Sequence, residues 1–449
     1  MVQIGYSRHD MTPDYPVPLA GFGNSSTRMS QGWVVPICAT CVAFTDDTGS
    51  TVLMFTTDMC VTSGDWTKQI REKITAATGV PCERIMIGST HSHSAPDIGN
   101  TAEPTIADFH KLYDEKMLQA AMDALADRAP AKVEIGRTVT GPLNHVRHYR
   151  NHDGSYAGDN YGTMTVESVA DHASQADRGM QVMRVTREGK KDIILVNWQA
   201  HPTISGTAAR ESGRLLRPFL SSDFIGTCRI FLEKELDCHF AYFQGACGNL
   251  NSRTFMTDRE FVTSNVHTYG QEVGKHVMEA LENMEPVNTD TVKAKQMEFV
   301  GPMDKSDDHR IEEARMIAKL WRETNDVKLV RKTAAPYDIH SPYHANAIVA
   351  RHDGPDTISI ELNAIAIGDI GFIAAPYEMF DVNGKFIKDN TPQKMTFVME
   401  CANEHMSYMA SSEAFDYGCY EADIRRYPKG TAEKLSQIFV DMIGELTAK

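Results

Sequence analysis

Short apolar, β-favouring runs alternate with amphipathic helical stretches along this chain, and that alternation restricts it to α/β architectures. Thr51-Val52-Leu53-Met54-Phe55-Thr56 reads as a buried strand. Trp66, Ile70 and Ile74 then recur at helical spacing with charges between them, which predicts a helix over 64–78. Gly79 and Pro81 close it, and Arg84-Ile85-Met86-Ile87-Gly88 reads as the next strand. A second helix is expected over 105–127, with Phe109, Leu112, Leu118 and Met122 facing inward. Further strands are expected at 193–198, 240–243, 358–365, 370–374 and 396–399, and helices at 258–283, 309–324 and 431–446. In the first of these helices Val262, Val266, Tyr269, Val273 and Val277 form the apolar stripe.

The segment 302–345 is more polar, with Asp304-Lys305-Ser306-Asp307-Asp308-His309-Arg310 at its start, and reads as a helical excursion with a solvated face. No Pro/Ser linker, internal repeat or low-complexity tract interrupts the chain. The expected fold is therefore α/β: one large domain over 1–449, with mixed β-sheet or sheets flanked by helices.

Hydrophobic residues make up 42% of the chain and charged residues 23%, which places it among globular proteins. The net charge of −15 repels phosphate backbones and anionic lipid, so the expected partner is a small-molecule substrate, not nucleic acid or a membrane. The first ten residues lack a charged-then-apolar leader, and no apolar run approaches the roughly 20 residues of a membrane helix. Cys38 and Cys41 form a lone CxxC inside the strand-like run from Ile37 to Phe44; with no second pair, the nine cysteines read as free thiols. A cytoplasmic location is the expectation. The oligomeric state has no signature in the sequence.

The residues able to carry chemistry sit at the ends of the expected strands, where sites gather in open α/β sheets. His91-Ser92-His93 follows the strand at 84–88, and His201 follows the strand at 193–198. Two loop histidines one residue apart can face one cleft, one binding metal and the other acting on substrate. Polar loop and rim histidines are the bland readings. Glu378 follows the strand at 370–374 and is expected to open a helix, where it would favourably face the dipole. Asp58 ends the strand at 51–57 as a cap or as the partner that fixes a histidine tautomer. Two histidines, one carboxylate and an open position form a catalytic zinc arrangement. The turn Gln244-Gly245-Ala246-Cys247-Gly248-Asn249-Leu250-Asn251 could bring its backbone close to a ligand, or be a tight loop without one. Cys247 has no evident thiolate stabiliser, and no GxGxxG or Walker-type GKS/GKT occurs.

Taken in order, these segments resemble the neutral/alkaline non-lysosomal ceramidase family in its catalytic N-terminal domain. The resemblance runs through Asp10-Met11-Thr12-Pro13, Pro18-Leu19-Ala20-Gly21-Phe22-Gly23, Thr90-His91-Ser92-His93-Ser94-Ala95-Pro96 and His201-Pro202-Thr203 with Ser222-Asp223-Phe224. It continues through Gln244-Gly245-Ala246-Cys247-Gly248-Asn249, Pro376-Tyr377-Glu378, and Tyr408 with Tyr420. It implies one zinc ion held by His91, His201, Glu378 and Tyr408. It also implies His93, Arg147 and Tyr420 facing the substrate, with Gly21, Gln244, Gly245, Asn249 and Asn251 beside it. Three departures stand out. Asn251 occupies the place of a family serine proposed to act on the amide, Val34-Val35 replaces a His-Asp pair, and the chain ends at Lys449 without the family's C-terminal β-sandwich domain.

Ceramide itself is therefore not the expected substrate. The expectation is a zinc-dependent hydrolase that cleaves an amide or ester bond of a small polar substrate through metal-activated water, with His93 moving a proton and Asp58 assisting. Arg147 and the 244–249 turn would steady the oxyanion. The alternatives are a metal-dependent hydrolase of a glycosidic or cyclic-ester bond, and a decayed scaffold that only binds ligand.

Overall fold

The computed structural model describes residues 2–22, 28–158, 168–205, 218–252 and 265–448. Its largest element is a nine-stranded mixed sheet. Eight strands follow the order His239–Gln244, Ile193–Trp198, Gly179–Arg187, Ala129–Val139, Gln3–Asp10, Cys38–Thr45, Thr51–Thr57, Ile85–Ser89, and the short Glu285–Pro286 pairs with Ala129–Val139. The central pairings are antiparallel; the end pairs, Thr51–Thr57 with Ile85–Ser89 and Ile193–Trp198 with His239–Gln244, are parallel. A second sheet orders Val292–Pro302, Thr357–Ile367, Ile370–Ala374 and Met395–Met399, and its last pair is again parallel.

The two sheets stack face to face. Strand side chains alternate between faces, so Val42, Phe44, Val52 and Met54 join Ile365, Phe372, Met395 and Phe397 in the core between the sheets. Ala39, Cys41, Leu53 and Phe55 turn the other way, under the helices Gly64–Thr78 and Pro104–Ala126. Because both faces are covered, these strands read as unbroken apolar runs. The helices Asp223–Leu236 and Val266–Leu281 cover the other half of the large sheet. Asp381–Asn390 and Thr431–Thr447 cover the second sheet.

Most expected elements fall where the periodicity put them. The helix expected at 64–78 is Gly64–Thr78, capped by the Ser63 side chain and closed by left-handed Gly79. In Pro104–Ala126 the inward stripe is Ile106, Phe109, Tyr113, Met117, Ala120, Ala121 and Ala124; Leu112 and Leu118 are only partly buried against it. Met122, expected inside, is half exposed, because it lies one position past the pair of buried alanines. The first part of the helix expected at 258–283, with Val262, lies outside the described residues. The segment expected as an excursion holds the helices Ile311–Thr324 and Val327–Ala334 and continues into Pro342–Asp353, with a small apolar core of its own. Among the described residues no helix is long and apolar enough to cross a membrane.

Phe372 is the joint between the sheets. Its ring centre lies 6.3 Å from Phe44, 6.4 Å from Phe243 and 5.1 Å from Phe397. Truncation there removes buried area and leaves a cavity that strands on two sheets cannot close. Phe372→Ala is expected to lower stability by about 3–5 kcal/mol with little change in m value, measured by urea unfolding.

Candidate metal centre

The three parallel pairs of the two large sheets all deliver chain to one place. Ile85–Ser89 leads into His91 and His93, Ile193–Trp198 into His201, and Ile370–Ala374 into Glu378. His91 takes φ 67°, while Cys401, Asn403 and Ser407 in the facing segment take 48°, 67° and 72°. Left-handed backbone at residues other than glycine is costly and persists only where the surroundings enforce it. Here His93 N–H donates to the Pro202 carbonyl (3.1 Å) and Ser89 N–H to that of Cys401 (3.2 Å), tying the segments together. Glu378 does not open a helix, as its sequence context predicts. It pairs in a two-residue strand, Glu378–Met379, parallel to Tyr408–Met409, and the helix begins only at Asp381. The in-register partners Glu378 and Tyr408 thereby sit side by side.

The histidine tautomers follow from the backbone. A carbonyl can only accept, so the 2.8 Å contact of His91 Nδ1 with the Cys60 carbonyl puts the proton on Nδ1. His201 Nδ1 donates in the same way to the carbonyls of Cys247 (2.7 Å) and Leu250 (3.0 Å). Both Nε2 lone pairs then face Oε2 of Glu378, at 3.4 and 3.3 Å. That oxygen is buried without a hydrogen-bond donor, while Oε1 accepts from His405 Nε2 at 3.0 Å. Ligand atoms on a tetrahedral zinc, with bonds of about 2.0–2.1 Å, lie about 3.3 Å from one another. The His91, His201 and Glu378 trio therefore fits a cation in both spacing and donor chemistry.

Burial works against charge here, and the neighbours decide the outcome. Burial and the adjacent His91 and His201 hold His93 well below the usual imidazole range, so it is neutral. Burial and Arg147 bring His201 down to about 4. Burial also opposes charge on His91, but Cys401, Glu378 and Cys60 outweigh it and raise its pKa. Burial opposes ionisation of Glu378 too, and the histidines around it prevail, so it stays a carboxylate.

The whole chain superposes on solved structures of one kind. It is similar to neutral ceramidase from Pseudomonas aeruginosa, with TM-score 0.71 and 15% identity over 100% of this chain and 75% of that one. It is likewise similar to a ceramidase complexed with C2, with TM-score 0.71 and 14% identity over 98% and 74%. The fold is that of neutral ceramidase. The sequence by itself matches no protein-family model and no curated protein.

Within this ceramidase fold the remaining expected residues divide. His93 joins the centre, its Nε2 lying 3.2 Å from that of His91. Gly21 packs on His93 so closely that a Cβ would sit 2.3 Å from the imidazole ring, which requires glycine there. Arg147 reaches to 3.5 Å from His201 Nε2, and its guanidinium carbon lies 5.4 Å from the Tyr408 ring centre. Tyr420 packs edge-on against Tyr408 at 5.9 Å. Asn251 bridges to His201 through the backbone.

The turn residues brace the site. Gln244 Nε2 donates to the Ala200 carbonyl (2.9 Å) and to Cys247 Sγ (2.8 Å), and Gly245 packs on Gln199. Asn249 exchanges two hydrogen bonds with Asp381, and its carbonyl accepts from Arg147 N–H (2.9 Å). Asp58 gives both oxygens to Arg229 (2.9 and 2.8 Å) and one also to the Cys38 amide (2.9 Å), so these contacts tie it to a buried ion pair away from the histidines.

Three functional side chains escaped the sequence reading: His405, Glu400 and Glu421. Glu400 is fully buried and accepts from the amides of Cys247 (3.0 Å) and Met379 (2.8 Å), joining the turn that orients His201 to the segment that carries Glu378. Burial lifts its pKa to about 8. Glu421 binds Arg147 Nε (2.7 Å) and Nη2 (2.6 Å), and its other oxygen accepts from His148 Nε2 (2.8 Å). Only position after a strand end marked His405 and Glu400, and nothing local marked Glu421.

Removing Glu421 would leave a buried guanidinium without its counter-charge. Glu421→Ala is expected to cost about 3–5 kcal/mol in chemical denaturation, more than Glu421→Gln. Burial opposes ionisation of Glu421, but Arg147 and His148 prevail and hold it well below the usual carboxylate range. A depressed folded-state pKa gives stability that is present above the unfolded value of about 4.3 and is lost as pH falls. Tm measured from pH 7 down to 3 should therefore fall more steeply in the wild type than in Glu421→Gln.

Proposed function

We propose that this chain is a zinc-dependent hydrolase that cleaves an amide or ester bond of a small polar substrate. The observation that carries the reading is the meeting of His91 Nε2, His201 Nε2 and the donor-less Glu378 Oε2 at 3.3–3.4 Å in a buried pocket. Among the borderline metals, zinc suits two imidazoles and a carboxylate with a position left open. When bound, zinc would act as a Lewis acid on a carbonyl and lower the pKa of coordinated water to about 7. Tyr408, in register with Glu378 in the parallel pair, would be the fourth ligand.

The chain's own residues supply the rest. His93 is neutral and its Nδ1 has no hydrogen-bond partner among the described residues, so it can accept a proton during attack and return it to the leaving group. Arg147 is a permanent cation fixed by Glu421, and it would offset negative charge developing on the substrate oxygen. Tyr420 packs against Tyr408 and would face the substrate beside it. Asn251, on the backbone bridge to His201, offers an amide where a nucleophilic hydroxyl is absent, which favours direct attack by water over a covalent intermediate.

The test is metal content and turnover together. Protein purified without added metal should hold close to one zinc at this centre, and His91→Ala, His201→Ala and Glu378→Ala should each lose it. On a panel of N-acyl, ester, glycosidic and cyclic-ester substrates, the wild type should turn over an N-acyl or ester compound. Arg147→Lys, which loses the planar fork, should lower kcat by about 10²–10³-fold. Metal retained with no turnover on any bond type would instead make this a binding protein.

A further inference from the structure

A second group of ligands lies where the excursion docks. His340 precedes the helix Pro342–Asp353, His344 is on its first turn, and Asp423 ends the short helix Tyr420–Asp423. Nδ1 of His340 lies 2.8 Å from Asp423 Oδ2, and Nδ1 of His344 lies 3.6 Å from the same oxygen. Of the far nitrogens, that of His340 meets a carboxylate at hydrogen-bond distance and that of His344 only faces one. His340 Nε2 is 3.0 Å from Asp338 Oδ1, and His344 Nε2 faces Asp307 Oδ2 at 4.0 Å. The protonation of His344 is fixed by its neighbour, since the His340 backbone N–H donates to its Nδ1 at 3.3 Å. A backbone N–H can only donate, so that Nδ1 carries a lone pair.

Imidazoles that hold a carboxylate on one nitrogen and turn the other toward a shared point are the usual arrangement around protein-bound metals. The carboxylates are themselves anchored: Asp338 accepts from Arg310 (3.0 Å), and Asp307 from Arg310, Arg351 and Arg425 (2.6, 2.5 and 3.0 Å). Asp338 also adopts a left-handed φ of 55°, a costly conformation that aims it at His340. His344, Asp307 and Asp423 are buried while His340 is 43% exposed, so solvent can complete the coordination from one side.

We propose that His340, His344 and Asp423 form a second divalent-metal site for a borderline first-row ion of the zinc, cobalt or nickel type. Two imidazoles with one carboxylate select such ions over magnesium or calcium. On binding, the ion replaces the proton on His340 Nδ1, which is released to solvent, and takes the His344 Nδ1 lone pair from the His340 backbone N–H, which turns to water, while Asp423 donates a carboxylate lone pair. The site clamps the excursion to the helix whose Tyr420 and Glu421 frame the first centre. Tyr343, next to His344's turn, packs edge-on against Tyr420 at 6.1 Å. The second site does not depend on the hydrolase reading.

Zinc titration by calorimetry on chelator-stripped, full-length protein, with bound zinc counted after gel filtration, tests it. The wild type should take up two equivalents and His340→Gln/His344→Gln one. His91→Ala/His201→Ala should keep one, which disappears when all four substitutions are combined. Asp338→Asn should weaken the second site by about 10–100-fold and leave the first unchanged. No zinc uptake by His91→Ala/His201→Ala, or an equivalent still bound when all four substitutions are combined, overturns the proposal. Should His91→Ala/His201→Ala not fold, equal stoichiometry in the wild type and His340→Gln/His344→Gln overturns it. Loss of the equivalent that ought to survive His340→Gln/His344→Gln would count against the first centre, not this one.

Discussion

Face-to-face packing of the two sheets is the constraint on which the rest of the molecule depends. Phe44, Phe243, Phe372 and Phe397 interlock between them, and burying aromatic area of this size is the main favourable term available to such an interface. The consequence is geometric. Each sheet ends in parallel pairing, and parallel strands release their loops at the same end. Stacking then brings the Nε2 atoms of His91 and His201, which are far apart in sequence, within 3.4 Å of Glu378 Oε2.

That convergence concentrates charge in a dry interior, and the surroundings are arranged to tolerate it. Arg147 and Arg229 are both buried cations, and each has a buried carboxylate, Glu421 or Asp58, with two contacts to it. Buried ion pairs add little net stability over an apolar replacement, because desolvation nearly cancels the attraction. Their value lies in direction. Arg229–Asp58 fixes the helix Asp223–Leu236 to the strand ends, whereas Arg147–Glu421 aims a cation at the open side of His201.

The sequence made the elements legible because their signals are local. Trp66, Ile70 and Ile74 specify a helix through spacing alone, and the run at 193–198 specifies a strand doubly buried between layers. The candidate ligands were legible for a related reason, as each directly follows a strand. What could not be read was anything set by contact across the fold. Glu378 looked like a helix opener because its own neighbours allow one, but pairing with Tyr408 extends the chain there instead. Asp58 was legible as a carboxylate at a strand end, but its pairing with Arg229, 171 residues away, was not. Glu421 lies in a four-residue helix with no local pattern, and only its 274-residue reach to Arg147 gives it meaning.

The supports of the centre also explain how such a site tolerates sequence change. His91 is oriented by the carbonyl of Cys60 and His201 by that of Cys247, while Glu400 grips the amides of Cys247 and Met379. Main-chain groups are present whatever the side chain, so positions 60, 247 and 379 are constrained by backbone path and not by chemistry. Where the backbone must come closest, the demand turns specific. A Cβ on Gly21 would strike His93, and one on Gly248 would lie 2.9 Å from the Glu378 carbonyl oxygen. A site built this way needs a handful of fixed residues and a faithful backbone, and a fold shared at 15% identity meets that second requirement.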